Sequence, residues 1–418
     1  LKVLTAIDCE IQEVPRAVLD HKTLQKLQLY GSPIQNVPRE EYGEFDNCLP
    51  ALRAYFADLT SGPAVRDLSV KLIVLGNGRV GKSSLMDHLL GRPFDAGKKS
   101  THGIRLEFLS GFKSSAGDDV TVRIWDFGGQ DIYHGTHRMF AKSRGVFLLA
   151  WDEETEARPF YEEEEGCYEN FPVAYWLDYV AGVSPGAPVI IVQNKIDRFD
   201  KTALQLADYA EYDRKFSMLR SCRVSAESGL GCGDLESYIS EALTLSLGAP
   251  GTHTLGAGRK RVLDQLMEWL AADLKRPPGD REYRLVSRVE FQKLCEEAGG
   301  ISNPELFLQY LHNSGAVFYT PELAEDIVLD QVWAIEAIYA LLKRDSSVPE
   351  IRNARGRFTA EDFNRWHWGQ AYSRAEQQVF LGLMEACGLC FRLNENREEE
   401  ALEYFVPELA PGWTVADS

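Results

Sequence analysis

The sequence predicts an α/β fold: a mostly parallel sheet with helices on both faces, a repeated segment before it and a helix-rich module after it. Three observations predict this. Between Ser69 and Leu247, short apolar runs alternate with helical stretches, the pattern of a parallel sheet buried on both sides. Upstream, Leu1, Leu4, Ala6, Ile11, Val14 and Pro15 recur as Leu24, Leu27, Leu29, Ile34, Val37 and Pro38, at an offset of 23 throughout. From Arg259 onward, apolar residues fall mostly at helical spacing.

Each segment follows in order. The spacing Leu-x-x-Leu-x-(Ala/Leu), then Ile-x-x-Val-Pro, is that of a leucine-rich repeat. One such repeat cannot bury its own apolar face, so residues 1–45 are expected to be the end of a longer solenoid. The chain starts at Leu1, not Met, and is expected to be a piece of something longer. Residues 46–68 link the repeats to the sheet, with a helix over 49–60 that ends before Gly62 and Pro63. Strands are expected at Val70–Leu75, Val120–Trp125, Val146–Trp151, Val189–Val192 and Cys222–Val224. Helices are expected at Ser83–Leu90, Tyr175–Ala181, Leu204–Leu219 and Leu235–Leu247. Residues 152–172 hold Glu162–Glu165 among Phe160, Tyr161, Tyr168 and Phe171; the charge run reads as a solvated loop, its aromatics available to a partner.

Residues 248–258 carry four glycines and no charge, the composition of a linker. The module 259–418 opens on an amphipathic stripe, Val262, Leu263, Leu266, Met267, Leu270 and Leu274. Helices near Phe291–Cys295 and Leu306–Leu311, then strands Ala316–Tyr319 and Ile327–Leu329, make a winged-helix pattern followed by a helix Gln331–Leu342. A second such unit follows. Thr359 with Asp362 and Ser373 with Glu376 match capping boxes. Helix 374–386 runs to Gly388, and strands Leu389–Leu393 and Tyr404–Val406 come after.

Composition narrows the function. At roughly 150 residues per domain, 418 residues exceed one ordinary domain. The net charge of −18 argues against nucleic acid and against anionic lipid. The 259–418 module, with 18 basic and 27 acidic residues, favours protein contact over DNA. No apolar run reaches the ~18 residues of a membrane span. Eight scattered cysteines are no disulfide framework, so a cytoplasmic location is expected. Cys387 and Cys390 lack the second pair that a zinc site needs.

The strongest chemical signal is Gly76, Asn77, Gly78, Arg79, Val80, Gly81, Lys82, Ser83 and Ser84, between a strand and a helix. Backbone N–H groups of such a turn, with the positive end of the helix, surround a β-phosphate. Lys82 sets a cation on the β/γ oxygens, and Ser83 offers a hydroxyl to Mg²⁺. Gly76-x-Gly78-x-x-Gly81 is also a dinucleotide fingerprint, but that pattern does not account for Lys82 and Ser83. A glycine loop followed by Asp126-Phe127-Gly128 hints at a kinase, yet no His-Arg-Asp lies between them.

Three further motifs sit at strand C-terminal ends, where ligands bind an open parallel sheet. Asp126 is placed near Mg²⁺, with the Gly129 amide near a γ-phosphate. Asn194, Lys195 and Asp197 follow the fourth strand; a carboxylate there accepts from guanine N1–H and N2–H₂, a donor pair that adenine lacks. Ser225 and Ala226 follow the last strand, where a backbone N–H is expected to meet guanine O6. By order and spacing, residues 70–247 resemble a Ras-like small GTPase. The resemblance implies GTP/GDP and Mg²⁺ as ligands, with Ser83, Thr101 and Asp126 around the metal. Thr101 is the switch threonine that the resemblance implies, with Ser100 the competitor. Gln130 is implied as the residue that orients attacking water, and Arg138 as a candidate charge stabiliser. His134 and His137 lack the companions a metal site needs.

Repeats, a Ras-like domain and an acidic helix-rich module, in that order, resemble the Roco family. Its central domain is called Roc and the next COR. Gly315–Tyr319, Phe380–Met384 and Phe405–Leu409 carry the COR likeness. The implied fold is an α/β P-loop GTPase (Ras-like, mostly parallel sheet) with an N-terminal leucine-rich-repeat remnant and a C-terminal winged-helix-like COR module. The implied domains are 1–45, 46–68, 69–247 (Roc), 248–258 and 259–418 (the N-terminal part of COR). The chain stops soon after Pro411, where the family continues into a second COR half that commonly mediates dimerisation. A homodimer is thus expected of the longer protein, with weaker association here, and protein partners through the repeats. The implied function is a slow GTP-hydrolysing switch that couples nucleotide state to conformation and dimerisation. The alternative is a nucleotide-gated protein-interaction scaffold with negligible hydrolysis.

Overall fold

The structure is a computed structural model. It describes all residues except 44–45, 99–103, 114–116, 129–144, 164–165, 199–208, 249–253, 321–322, 324–325, 343–347, 366–368, 370, 394–401 and 411–418.

At the N-terminus, strand β1 (Val3–Thr5), helix α1 (Arg16–Leu19) and strand β2 (Lys26–Gln28) precede a helix α2 (Leu49–Thr60). β1 and β2 pair in parallel with Leu4 opposite Leu27, so the 23-residue sequence offset is also the pairing register. Val14, Leu19, Leu24, Leu27, Leu29, Ile34 and Val37 are buried together with Leu49, Leu52 and Tyr55 of α2. The helix covers apolar surface that the two strands cannot cover themselves.

After β3 (Val65–Arg66) comes the main sheet. Its elements are β4 (Ser69–Leu75), α3 (Lys82–Leu89), β5 (Ile104–Lys113), β6 (Asp119–Phe127), β7 (Gly145–Trp151), α4 (Glu153–Ala157), β8 (Phe160–Glu163), β9 (Gly166–Glu169), α5 (Val173–Val183), β10 (Gly186–Gln193), α6 (Tyr209–Lys215), β11 (Phe216–Arg223) and α7 (Cys232–Leu247). The strand order is β11-β10-β7-β4-β6-β5. Every pairing in this six-stranded sheet is parallel except β5 with β6, and β8 and β9 pair only with each other, outside it.

Alternate residues of these strands build two cores, as the pleat requires. Leu72, Val74, Ile124, Leu148 and Ile190 pack with Leu85 and Met86 of α3 and Ile239 and Leu243 of α7. Ile73, Leu75, Trp125, Phe147 and Ile191 pack on the other face with Trp176 and Leu177 of α5. That second core continues into the C-terminal module, through Trp333, Ile335, Ile338, Phe380 and Met384. The module is thus one of the layers covering the sheet.

Four sequence expectations change. Phe216–Leu219 belongs to β11, not to a helix, because pairing with β10 buries Phe216, Met218 and Leu219. β5 was not anticipated; a register shift between Leu109 and Phe112 interrupts its alternation, and Phe108 faces out. Residues 152–172 are not a loop but a short helix and the antiparallel hairpin β8–β9. The linker is partly ordered: β12 (Thr254–Leu255) pairs with β3, and the next helix, α8 (Ala257–Asp273), starts inside it.

The module continues with β13 (Leu285–Ser287), α9 (Arg288–Ala298), α10 (Pro304–Ser314), β14 (Asp326–Val328), α11 (Gln331–Leu342), α12 (Val348–Asn353), β15 (Arg357–Thr359), α13 (Ala360–Phe363), α14 (Arg374–Ala386), β16 (Phe391–Arg392) and β17 (Glu403–Phe405). The expected strand at Ala316–Tyr319 is a single bridge, Phe318 to Val328. Two similar units result: strand, two helices, a bridge and a strand in the first, and strand, two helices and two strands in the second. Capping boxes start α13 and α14 as the sequence indicates, and a third, Ser287 with Glu290, starts α9. Each is worth about 1 kcal/mol. Cys387 and Cys390 are free thiols buried in the core, and burial pushes the Cys390 thiol up. Among the described residues, no helix is long and apolar enough to cross a membrane.

Candidate functional site

The turn from β4 into α3 takes its shape from glycine. Gly76 has φ +134°, and a β-carbon there would meet the Ala150 carbonyl oxygen at 2.0 Å. Gly81, φ +88°, is the N-cap of α3, and a β-carbon would meet Asn194 Nδ2 at 2.4 Å. Arg79 is the exception. It holds φ +65° with a side chain, a conformation that costs roughly 1–2 kcal/mol. Among the described residues no side chain caps α3, whose first amides begin at the pocket wall formed by Gly81, Lys82, Ser83 and Ser84.

Lys82 folds back over this turn. Its Nζ donates to the Gly76 and Asn77 carbonyls at 2.8 and 2.7 Å. Burial pulls its ammonium down to about 8, and the charge of Asp126 opposes that. Ser83 Oγ donates to Asp126 Oδ2 at 2.5 Å. Asp126 is fully buried at the end of β6, and burial raises its pKa against the pull of Lys82 and the Ser83 bond. Among the described residues its Oδ1 has no hydrogen-bond partner.

These residues fit a hard divalent cation. The Ser83 hydroxyl touches a buried carboxylate with a spare oxygen, the donor set that Mg²⁺ shares with phosphates and water. Among the described residues no group of three or more His, Cys, Asp or Glu could hold a metal alone.

Asn194 joins two loops. Its Nδ2 donates to the Val80 carbonyl at 2.9 Å, and its Oδ1 accepts from the Ala226 amide at 3.1 Å. The Ala226 amide, one of the two backbone donors expected near guanine O6, thus donates to Asn194 in this structure. Lys195, at φ +61°, donates to the Arg79 carbonyl at 2.6 Å and to Asp152 Oδ2 at 2.7 Å. Its stem bridges the glycine turn and the start of α4.

A cavity of about 330 Å³ lies where these loops meet. It collects Gly78, Arg79, Gly81, Lys82, Ser83, Ser84, Asn194, Lys195, Asp197, Ser225 and Ala226, all singled out from sequence. Gly76, Asn77, Val80 and Asp126 stand behind this wall and hold it. Ser100, Thr101, Gly129, Gln130, His134, His137 and Arg138 lie outside the described residues. The cavity adds Phe94, Lys98, Tyr161, Arg198 and Glu227, which sequence reasoning missed. Only Tyr161 carried a signal, as one of the aromatics in the 152–172 insert. Arg198 pairs with Glu227, and Lys98 with Asp87.

Fold and cavity together define a P-loop nucleotide-binding protein of Ras-like type. Comparison with known proteins agrees. The family described as "Ras of Complex, Roc, domain of DAPkinase" matches residues 71–197, and "C-terminal of Roc, COR-A domain" matches residues 268–410. The chain therefore belongs to the Roco family of GTPases, with a Roc domain followed by a COR-A domain. It is 26% identical to a Roc-COR-CHAT protease of Runella zeae, over 93% of this chain and 40% of that protein. It is 24% identical to the probable serine/threonine-protein kinase pats1 of Dictyostelium discoideum, over 76% of this chain and 10% of that one. The chain thus spans two fifths or less of the length of these relatives. Among solved structures, Roco2 RocCORdC of Methanosarcina barkeri, bound to GDP, has the same fold, with a TM-score of 0.64 at 21% identity. That likeness covers 84% of this chain and 98% of the other.

Proposed function

We propose that the chain binds GTP with Mg²⁺, hydrolyses it slowly to GDP and phosphate, and couples the nucleotide state to conformation and dimerisation. The observation that carries this reading is the single cavity lined by Lys82, Ser83, Asn194, Asp197 and Ala226, with Asp126 bonded to Ser83 behind its wall. Phosphate, metal and base chemistry meet there within one volume of nucleotide size.

The roles follow from the chemistry of each group. The α3 amides and Lys82 hold the β- and γ-phosphates, and a bound polyphosphate would return to the Lys82 ammonium the stability that burial takes from it. Ser83, Asp126 and Thr101 would hold Mg²⁺, which when bound neutralises charge on the β- and γ-oxygens. Asp197 accepts from the guanine N1–H and N2–H₂ donors, with Asn194, Lys195, Ser225 and Ala226 setting the loops around the base. Gln130 orients the attacking water, or Arg138 offsets charge on the leaving phosphate.

We assign residues 1–45 to a leucine-rich-repeat end that binds protein partners, 46–68 to a linker helix, 69–247 to Roc, 248–258 to a linker and 259–418 to the N-terminal part of COR. In this reading the protein is a cytoplasmic homodimer, and its acidic charge disfavours nucleic acid as a partner.

Single-turnover phosphate release from the chain loaded with Mg²⁺·GTP tests the activity. The expected result is release above the rate in buffer alone, lost in Lys82→Ala. Retention of GTP with no release would select the nucleotide-gated scaffold instead. Solution mass of the same samples, with GDP and with a GTP analogue, reads the coupling to association; equal masses would remove it.

A further inference from the structure

The hairpin β8–β9 is mounted on the phosphate loop at both of its feet. At the entry, Asp152 caps α4 by accepting from the Thr155 amide at 2.9 Å and also accepts from Lys195, which holds the Arg79 carbonyl. At the exit, the Asn77 side chain makes two bonds to Phe171. Its Nδ2 donates to the Phe171 carbonyl at 2.8 Å, and its Oδ1 accepts from the Phe171 amide at 2.9 Å. The Trp176 indole donates to the same Oδ1 at 3.3 Å. The feet are also closed on each other: the Asn170 amide donates to the Pro159 carbonyl and its side chain to the Arg158 carbonyl, each at 2.7 Å. A segment so tied moves with the phosphate loop, not independently of it.

Strand alternation then sends neighbouring aromatics apart. Phe160 is exposed, while Tyr161 lines the nucleotide cavity. The Arg79 guanidinium lies over the Tyr161 ring, 5.4 Å from its centroid, and Arg79 lines the same cavity. Arg79 is the residue held in the left-handed conformation that glycine favours. A guanidinium packed on a ring keeps its positive charge, and its five in-plane N–H donors can serve more than one acceptor.

We propose that the hairpin is a fixed wall of the nucleotide site, in which Tyr161 positions Arg79 as a second cation against the phosphates of the bound guanine nucleotide. This rests on the guanine-nucleotide reading above. In a chain of net charge −18, a fixed cation beside Lys82 favours a polyanionic ligand that the rest of the surface repels. Tyr161 is a positioning residue: it acts through Arg79.

The test is release of fluorescent mant-GDP from the loaded full chain, chased with excess GDP. Arg79→Ala is expected to release about tenfold faster, the size of losing one charge-assisted contact. That difference shrinks between ~50 and ~500 mM salt, because an exposed charge is screened. Tyr161→Ala releases roughly two- to fivefold faster. Tyr161→Phe, which keeps the ring, matches wild type. In the Arg79→Ala background, Tyr161→Ala adds nothing further, because the two act as one unit. Wild-type release rates in both alanine variants, with unchanged melting temperature, would overturn the proposal. So would effects that multiply independently, or a difference that salt does not change. A wild-type chain that retains no mant-GDP would overturn the nucleotide reading itself.

Discussion

At the scale of single residues, the site shows how far motif chemistry extends. Lys82, Ser83 and Asp197 are readable because the tasks proposed for them belong to the side chains themselves: an ammonium for phosphates, a hydroxyl for a metal, a carboxylate for two donors. Asp197→Asn should exchange an acceptor for a donor opposite guanine N1–H and shift preference towards xanthine nucleotides. Competition binding of GTP against xanthosine triphosphate measures it, and unchanged GTP selectivity would remove Asp197 from base recognition. Asn194 is different. Its bonds to the Val80 carbonyl and the Ala226 amide, 114 and 32 residues away, set the distance between the phosphate and base loops. Such pairings have no sequence signature, because any residue supplies a backbone carbonyl or amide.

At the scale of elements, an ion cluster fixes how the segments meet. Arg259, on the first turn of α8, is fully buried. It donates to Glu41 Oε1 at 2.7 Å, and to Asp58 Oδ2 of α2 at 3.1 Å through Nε. Tyr55 and Phe307 flank it, at 5.3 and 5.5 Å from guanidinium to ring centroid. Asp58 also accepts from the Ser302 amide at 2.9 Å. The carboxylates hold Arg259 above its usual pKa against the burial that lowers it. One guanidinium therefore joins the repeated segment, α2 and the C-terminal module. Arg259→Ala would leave two buried carboxylates unpaired and should cost about 3–5 kcal/mol in denaturant unfolding. A loss under ~1 kcal/mol, the range of an exposed pair, would show that the cluster is solvated. The same scale holds the misread elements. Phe216–Leu219 looks helical beside Tyr209–Lys215 until β10 offers an edge to pair with. β5 is hidden because its bulge breaks the period of two.

At the scale of the whole molecule, the Roc sheet and the COR-A module share one apolar core, and polar groups lie buried along their contact. Lys71 on β4 is wholly buried, packed against Gly315 and near the Trp125 ring. Burial, with the charge of Arg123 adding to it, pulls its ammonium down to about 7. Arg123 donates to the Ser314 carbonyl at 2.9 Å, and Tyr310 donates to Asp67 at 2.8 Å. The His312 Nδ1 accepts from the Tyr319 amide, and burial, aided by Lys71, pulls its pKa down to about 3. Both groups are depressed bases, so the unfolded chain takes up protons that the folded chain refuses. For Lys71 the uptake runs from pH 10.5 down to about 7, and for His312 from pH 6.5 down to about 3. Stability therefore falls with pH across each window, by at most about 1.4 kcal/mol per pH unit per group. Thermal melting of His312→Asn between pH 6.5 and 4.5 should fall less steeply than wild type. Parallel curves would show that His312 takes up its proton without penalty.

The sequence by itself determined the order of segments, the parallel sheet, the 23-residue register of the first strands and most of the residues that line the cavity. These are local facts: backbone conformation at glycines, periodicity of burial, and side-chain chemistry at strand ends. Only the tertiary structure decided that the COR-A module completes the core of the Roc sheet, that Arg259 joins three segments, and that Tyr161 stands in the nucleotide cavity beside Arg79. Each of these depends on which surfaces meet across long stretches of chain. That is a matter of shape and buried charge, which no single stretch of sequence records.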